Sequence, residues 1–138
     1  MTIRNAQPHD FTTLYPFWEE VGLILYPVEL EQNRFRAMLR LNPELCFIAS
    51  KNHDDVVGSL IGAFDGRTAS IHRLAVAPAL QRRGVGTKLV RVFEETLRSK
   101  GIDKLTAQIH VSNIAIVPFY EKLGFKEMSY VKTYFKDV

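Results

Sequence analysis

The chain has a single cysteine, Cys46, in 138 residues, which excludes an internal disulfide. Cys46 lies in an apolar run, so it reads as a small buried hydrophobe rather than a nucleophile. Histidine is almost as sparse. The four His are scattered and no His/Cys group has zinc spacing, so no metal site is expected. No apolar run approaches the roughly 20 residues that cross a bilayer. Met1-Thr2-Ile3-Arg4 lacks the apolar core of a secretion signal, and a cytoplasmic protein is the expectation. Repeats, linkers and low-complexity tracts are also missing. Charge of one sign is in short supply, with 18 basic and 15 acidic residues and a net charge of +3. That balance is too mild to argue for nucleic acid. Neither a nucleic acid nor a membrane partner is expected. The hydrophobic share of 46% suits an ordinary globule, and the length suits one domain spanning residues 1–138 with a real core.

The most informative stretch is Gln81-Arg82-Arg83-Gly84-Val85-Gly86-Thr87. It follows a strand-like run, residues 69–76, closed by Ala77-Pro78, and it opens a helical run at 88–100. A Gly-containing turn at a helix start gathers unpaired amides and the positive end of the helix dipole, which makes a phosphate site. A mononucleotide loop would place Lys before Ser or Thr; here Gly86 is followed by Thr87 and then Lys88. A dinucleotide fingerprint would need a third Gly, and Leu89 stands there. Residues 81–100 hold Arg82, Arg83, Lys88, Arg91, Arg98 and Lys100 against Glu94 and Glu95. Arg82 and Arg83 are placed to face a phosphate; Arg98 and Lys100 read equally as a solvated helix face.

Gln-x-x-Gly-x-Gly after Leu74-Ala75-Val76-Ala77-Pro78 resembles the acetyl-CoA loop of the GNAT superfamily of N-acetyltransferases. A second stretch, Asn113 followed by Ala115 and then Phe119-Tyr120-Glu121-Lys122-Leu123-Gly124-Phe125, resembles that family's second motif. The two motifs occur in order, and the likeness extends over nearly the whole chain. It implies an N-acetyltransferase that uses acetyl-CoA as co-substrate, without a metal. The implied acceptor is a small-molecule or peptide amine, and a homodimer is compatible.

The pattern of apolar periods and turn signals gives a strand at 3–6, a helix from an Asp10 cap to about residue 21, and a helix at 29–41. Pro16 should bend or shorten the first helix. Strands follow at 45–50 and 56–64, with a turn at Asn52-His53-Asp54-Asp55 between them and a hairpin at Asp65-Gly66. After the 69–76 strand and the loop helix come a buried strand at 104–111, a short helix, and a last strand from 125 to about 135. The order β-α-α-β-β-β-α-β-α-β is a single mixed α/β sheet flanked by helices. The resemblance makes it mainly antiparallel and twisted, with a shortened C-terminal hairpin.

Acetyl transfer to an amine requires a held donor, a polarised carbonyl, a neutral amine and a proton for the leaving thiolate. The resemblance assigns the donor to Gln81, Arg82 and the amides of Arg83, Gly84, Val85, Gly86 and Thr87. It lays the pantetheine arm along the backbone of Leu74, Ala75 and Val76, with the Val76 amide on the thioester carbonyl. Core packing by Leu74 and Val76 is compatible with that role. Asn113 reads as a helix cap, as a coenzyme contact, or as both. The resemblance makes Tyr120 the general acid; read alone it is an aromatic core residue.

No carboxylate stands where the family carries its base. Gln108 occupies one such position and His72-Arg73 the other. His72, by its ordinary pKa, and His110, near a strand end, are candidate bases; each also reads as a partly exposed, non-catalytic histidine, and water or an already neutral amine is the alternative. Glu19, Glu20, Glu29 and Glu31 flank the 22–27 loop and would either attract a cationic acceptor or form a solvated face. Two rival readings stay open: a coenzyme-binding regulatory module without catalysis, and an enzyme for peptide N-termini rather than metabolites.

Overall fold

A computed structural model describes residues 1–52 and 55–138. It divides into two compact units, Met1–Gln108 and Ile109–Val138. The first holds a five-stranded sheet of β1 (Thr2–Asn5), β2 (Cys46–Ser50), β3 (Val56–Phe64), β4 (Ala69–Val76) and β5 (Leu105–Ala107). The strands lie in sequence order. The first three pairings are antiparallel, and β4–β5 is parallel from Ala69↔Leu105 to Ile71↔Ala107. The helices of this unit are α1 (Phe11–Glu20), α2 (Val28–Leu41) and α3 (Val85–Ser99). The expected turn at 52–55 lies partly outside the described residues.

β2 is buried along its whole length, which fits a strand covered on both faces. On one face Cys46, Ile48, Ile61 and Ala75 pack with Phe11, Leu14 and Trp18 of α1 and Phe35 and Leu39 of α2. The Phe11, Trp18 and Phe35 rings meet at centroid distances of 5.7–6.3 Å. On the other face Phe47 meets Phe93 of α3 edge-on. Gly62 lies under that ring. A Cβ there would stand 2.4 Å from Phe93 Cε2 and 2.7 Å from the Leu45 carbonyl oxygen. Gly62→Ala is therefore expected to destabilise the protein by about 1–3 kcal/mol, the usual cost of overpacking. A chemical-denaturation midpoint equal to that of the unaltered chain would contradict this packing.

Cys46 is fully buried. Burial pushes its thiol up to about 11, which keeps it a structural hydrophobe.

Several local expectations are corrected. Asp10 precedes α1 but makes no side-chain cap to it. Its carboxylate instead accepts two bonds from Arg4, at 2.8 and 2.9 Å, and one from the Gln7 amide at 2.7 Å. Burial raises its pKa, but the Arg4 and Gln7 bonds and the Arg4 and His9 charges outweigh that, so the net shift is downward. Pro16 leaves α1 unbroken; it lies on the exposed side, where water can satisfy the carbonyl it cannot serve. β5 covers only Leu105–Ala107 rather than 104–111 and is half-buried.

In the second unit a 3-10 segment (Val111–Ile116) leads into α4 (Val117–Lys122). Pro118 sits in the first turn of α4, where its missing N–H costs no intrahelical bond. Gly124, at φ +95°, closes the helix. The Phe125 amide donates to the Tyr120 carbonyl at 3.1 Å. Phe125 thus belongs to the helix cap, and the strand expected from 125 to about 135 does not form. Among the described residues no helix is long and apolar enough to cross a membrane.

Candidate functional site

The strand–turn–helix from Leu74 to Thr87 is one continuous feature of the first unit. β4 pairs with β5 only as far as Ile71, so beyond that point its outer edge has no strand partner among the described residues. At its end the Ala77 amide donates to the Val57 carbonyl at 2.8 Å. The Gln81 side-chain amide donates to the Val76 carbonyl at 3.2 Å. Gln81 therefore fastens the loop to the strand end.

Gly84 stands at φ +84° and serves as the N-cap of α3 without a side-chain cap. A Cβ on it would meet nothing within 4 Å, so its conformation, rather than crowding, calls for glycine. The Arg83 amide is taken by the Leu80 carbonyl at 3.3 Å. The amides of Gly84, Val85, Gly86 and Thr87 have no protein acceptor among the described residues. Four unsatisfied donors at the start of a fifteen-residue helix form an anion cradle. Arg82 lies beside it at φ +65°, and both Arg82 and Arg83 are exposed and outside any ion pair among the described residues. The distal cations are spent elsewhere: Arg98 pairs with Glu94 at 3.3 Å, and Lys100 pairs with Glu44.

A second feature of this unit was not legible in the sequence. The β3–β4 register passes from Ser59↔Ala75 to Ile61↔His72, leaving Arg73 and Leu74 opposite one residue, Leu60. That is a β-bulge, and Arg73 takes φ +48° within it. The Ser59 hydroxyl donates to the Arg73 carbonyl at 2.7 Å and accepts from Trp18 Nε1 at 2.9 Å. Arg73 Nε donates to Glu31 Oε1 at 2.7 Å, and the other Glu31 oxygen accepts from the Tyr26 amide at 3.2 Å. Glu31 is only 4% exposed and is spent on these bonds, while Glu19, Glu20 and Glu29 are solvated. His72 keeps exposed surface and shares a 2.8 Å bond with Ser70. Local desolvation and then the Arg73 charge lower its pKa, which favours the neutral ring.

Asn113 and Tyr120 belong to the second unit. Tyr120 is buried between Phe119 and Phe125, at centroid distances of 5.3 and 5.2 Å, and burial pushes its phenol up to about 12. Asn113 is exposed, with non-helical angles. The cap belongs to His110, whose Nδ1 accepts from the Ser112 amide at 3.1 Å. That nitrogen is therefore occupied. Gln108 ends the first unit.

A concavity of about 470 Å³ lies elsewhere, lined by Phe64, Gly66, Arg67 and residues 100–103. It is a shallow surface trough without the orphan amides of the loop, and no chemistry is assigned to it. Among the described residues no group of three His, Cys, Asp or Glu could hold a metal.

Residues 9–125 match the model of the acetyltransferase (GNAT) family. An acetyltransferase of Yersinia pestis (strain Pestoides F) is 32% identical over 126 residues, covering 91% of this chain and 88% of the relative. An acetyltransferase of Pectobacterium atrosepticum is 30% identical over the same shares. Among solved structures, Ard1 from Thermoplasma volcanium superposes with a TM-score of 0.79 at 27% identity, over 91% of this chain and 82% of that one.

Proposed function

The chain belongs to the acetyltransferase (GNAT) family and is an acyl-CoA-dependent acetyltransferase; from that premise we propose an N-acetyltransferase that passes the acetyl group of acetyl-CoA directly to a primary amine while both substrates are bound. The single observation that carries the donor assignment is the set of four amides at Gly84, Val85, Gly86 and Thr87 without protein acceptors among the described residues, on a turn whose glycine geometry admits close backbone approach.

In this reading those amides hold the pyrophosphate, and Arg82 and Arg83 add charge beside it. Gln81 keeps the loop in register with the strand end through the Val76 carbonyl. The free edge of β4 at Leu74, Ala75 and Val76 receives the pantetheine arm, and the Val76 amide polarises the thioester carbonyl. Acetyl-CoA supplies the activated acyl carbon and a thiol leaving group. Tyr120 gives its phenolic proton to that thiolate; burial pushes the phenol up to about 12, so the proton is present at neutral pH. Asn113 is an exposed coenzyme contact. No side-chain carboxylate acts as base, and the amine arrives neutral or is relieved of its proton by water or a neutral histidine. The whole of residues 1–138 is the acetyltransferase domain.

Initial-rate kinetics test the direct transfer. Double-reciprocal lines that intersect when acetyl-CoA and amine are varied support one ternary complex. Parallel lines, the mark of a covalent acyl-enzyme, would overturn it.

The exposed Arg82 and Arg83 also make coenzyme affinity salt-dependent, because surface charges are screened beyond roughly 10 Å at 0.1 M salt. Affinity for acetyl-CoA is expected to weaken steadily from low to moderate ionic strength. A flat response would mean that both guanidinium groups face water in the complex.

A further inference from the structure

The bulge on β4 holds an arginine that the donor site does not use. Its backbone is in the left-handed region at φ +48°, an uncommon place for a residue other than glycine. A buried relay fixes it there: Trp18, 1% exposed, donates to Ser59, 0% exposed, and Ser59 donates to the Arg73 carbonyl. The guanidinium is fixed as well. Its Nε is bonded to Glu31, and its Cζ lies 6.0 Å from the Trp18 ring centroid. Its two terminal nitrogens have no hydrogen-bond partner among the described residues, and the side chain is 26% exposed. A buried ion pair alone is weak evidence for stability. Here a strained backbone and a carboxylate hold a part-exposed guanidinium whose two terminal nitrogens carry four N–H donors without a partner among the described residues.

We propose that Arg73 binds a carboxylate of the acceptor, so that the amine acetylated here is of the amino-acid class. The planar guanidinium fork matches a carboxylate with two parallel bonds. Arg73 lies just before Leu74, Ala75 and Val76, the strand end given above to the acetyl donor, and the inference rests on that reading. A carboxylate held at Arg73 would bring an amine on the same small molecule toward the acetyl group. Because Glu31 is already paired, a cationic acceptor gains little from it.

The test pairs free amino acids with their C-terminal amides as acceptors and follows thiol release from acetyl-CoA. In the unaltered enzyme kcat/KM for at least one acid should exceed that of its amide by roughly tenfold to hundredfold, the range of a charge-assisted bond. In Arg73→Gln that ratio should fall to near one, and Arg73→Lys should restore part of it. A purely structural role for Arg73 would lower both members of a pair together and keep the ratio. Should Arg73→Gln fail to fold, because Glu31 is left buried and unpaired, the double variant Glu31→Gln/Arg73→Gln removes both charges and the same ratio is read. An unchanged ratio, or no turnover of any acid while calorimetry shows acetyl-CoA bound, overturns the proposal. Absence of acetyl-CoA binding would overturn the donor reading itself, and this proposal with it.

Discussion

Acetyl-CoA affinity is expected to collapse in Gly84→Asp while the fold survives. Gly84 is the left-handed N-cap of α3, with open space where a side chain would go. Aspartate tolerates that conformation better than most residues and is a favoured N-cap that complements the helix dipole. The left-handed φ still strains a residue with a Cβ by roughly 1 kcal/mol, so stability should fall modestly and the fold persist. The same carboxylate would stand among the amides proposed to hold the pyrophosphate. A like charge about 4 Å away costs about 4 kcal/mol at an effective dielectric near 20, which corresponds to a loss of roughly 10²–10³-fold in affinity. Gly86→Asp should lose binding too, but Gly86 is buried in the first turn of α3 and its variant is the less clean of the two. Calorimetric titration alongside a melting curve separates the effects. Unchanged affinity in both variants would remove the donor from this loop.

Turnover is expected to fall by roughly 10²–10⁴ in Tyr120→Phe, the usual loss when a general acid is removed, with acetyl-CoA affinity little changed. The substitution keeps the ring contacts with Phe119 and Phe125, so packing is preserved. Burial pushes the phenol up to about 12. Its proton is thus present throughout the neutral range, and the acid should add no inflection to the pH–rate profile there. The rate should rise with pH toward the amine's own pKa, because in the proposed mechanism no side-chain carboxylate takes the proton. His72 is held neutral by its lowered pKa, so its titration would lie below the usual histidine range near 6.5. His72→Ala and His110→Ala should cost less than Tyr120→Phe. Full activity in Tyr120→Phe, together with a histidine variant that abolishes turnover and removes an inflection, would reverse both assignments.

Much of the framework was legible because local signals agreed with the tertiary result. Val56–Phe64 and Ala69–Val76 form as read, since β-branched and apolar runs ended at Asp65-Gly66 and at Ala77-Pro78. The helix after the loop begins at Val85 rather than 88, because the positive φ of Gly84 ends the turn and the glycine at 86 does not delay the helix. The strand expected from 125 fails for a different reason. Tyr130, Val131, Thr133 and Tyr134 favour extended backbone, but a strand forms only where a ladder accepts its bonds, and Phe125 is already committed to the cap of α4. The glycine turn at a helix start was visible in the sequence, and the family resemblance is what marked it as a donor loop. The Arg73 bulge was not visible, because it depends on a one-residue slip between β3 and β4 that no single strand encodes.

The account's central claim is most directly tested by incubating the protein with acetyl-CoA and a panel of amines, peptide N-termini and lysine peptides. Released thiol and product mass are then followed together. The account predicts thiol release that depends on an amine and equals, mole for mole, an N-acetylated product. Tight acetyl-CoA binding with no amine-dependent thiol release would contradict it and leave a coenzyme-binding module in its place.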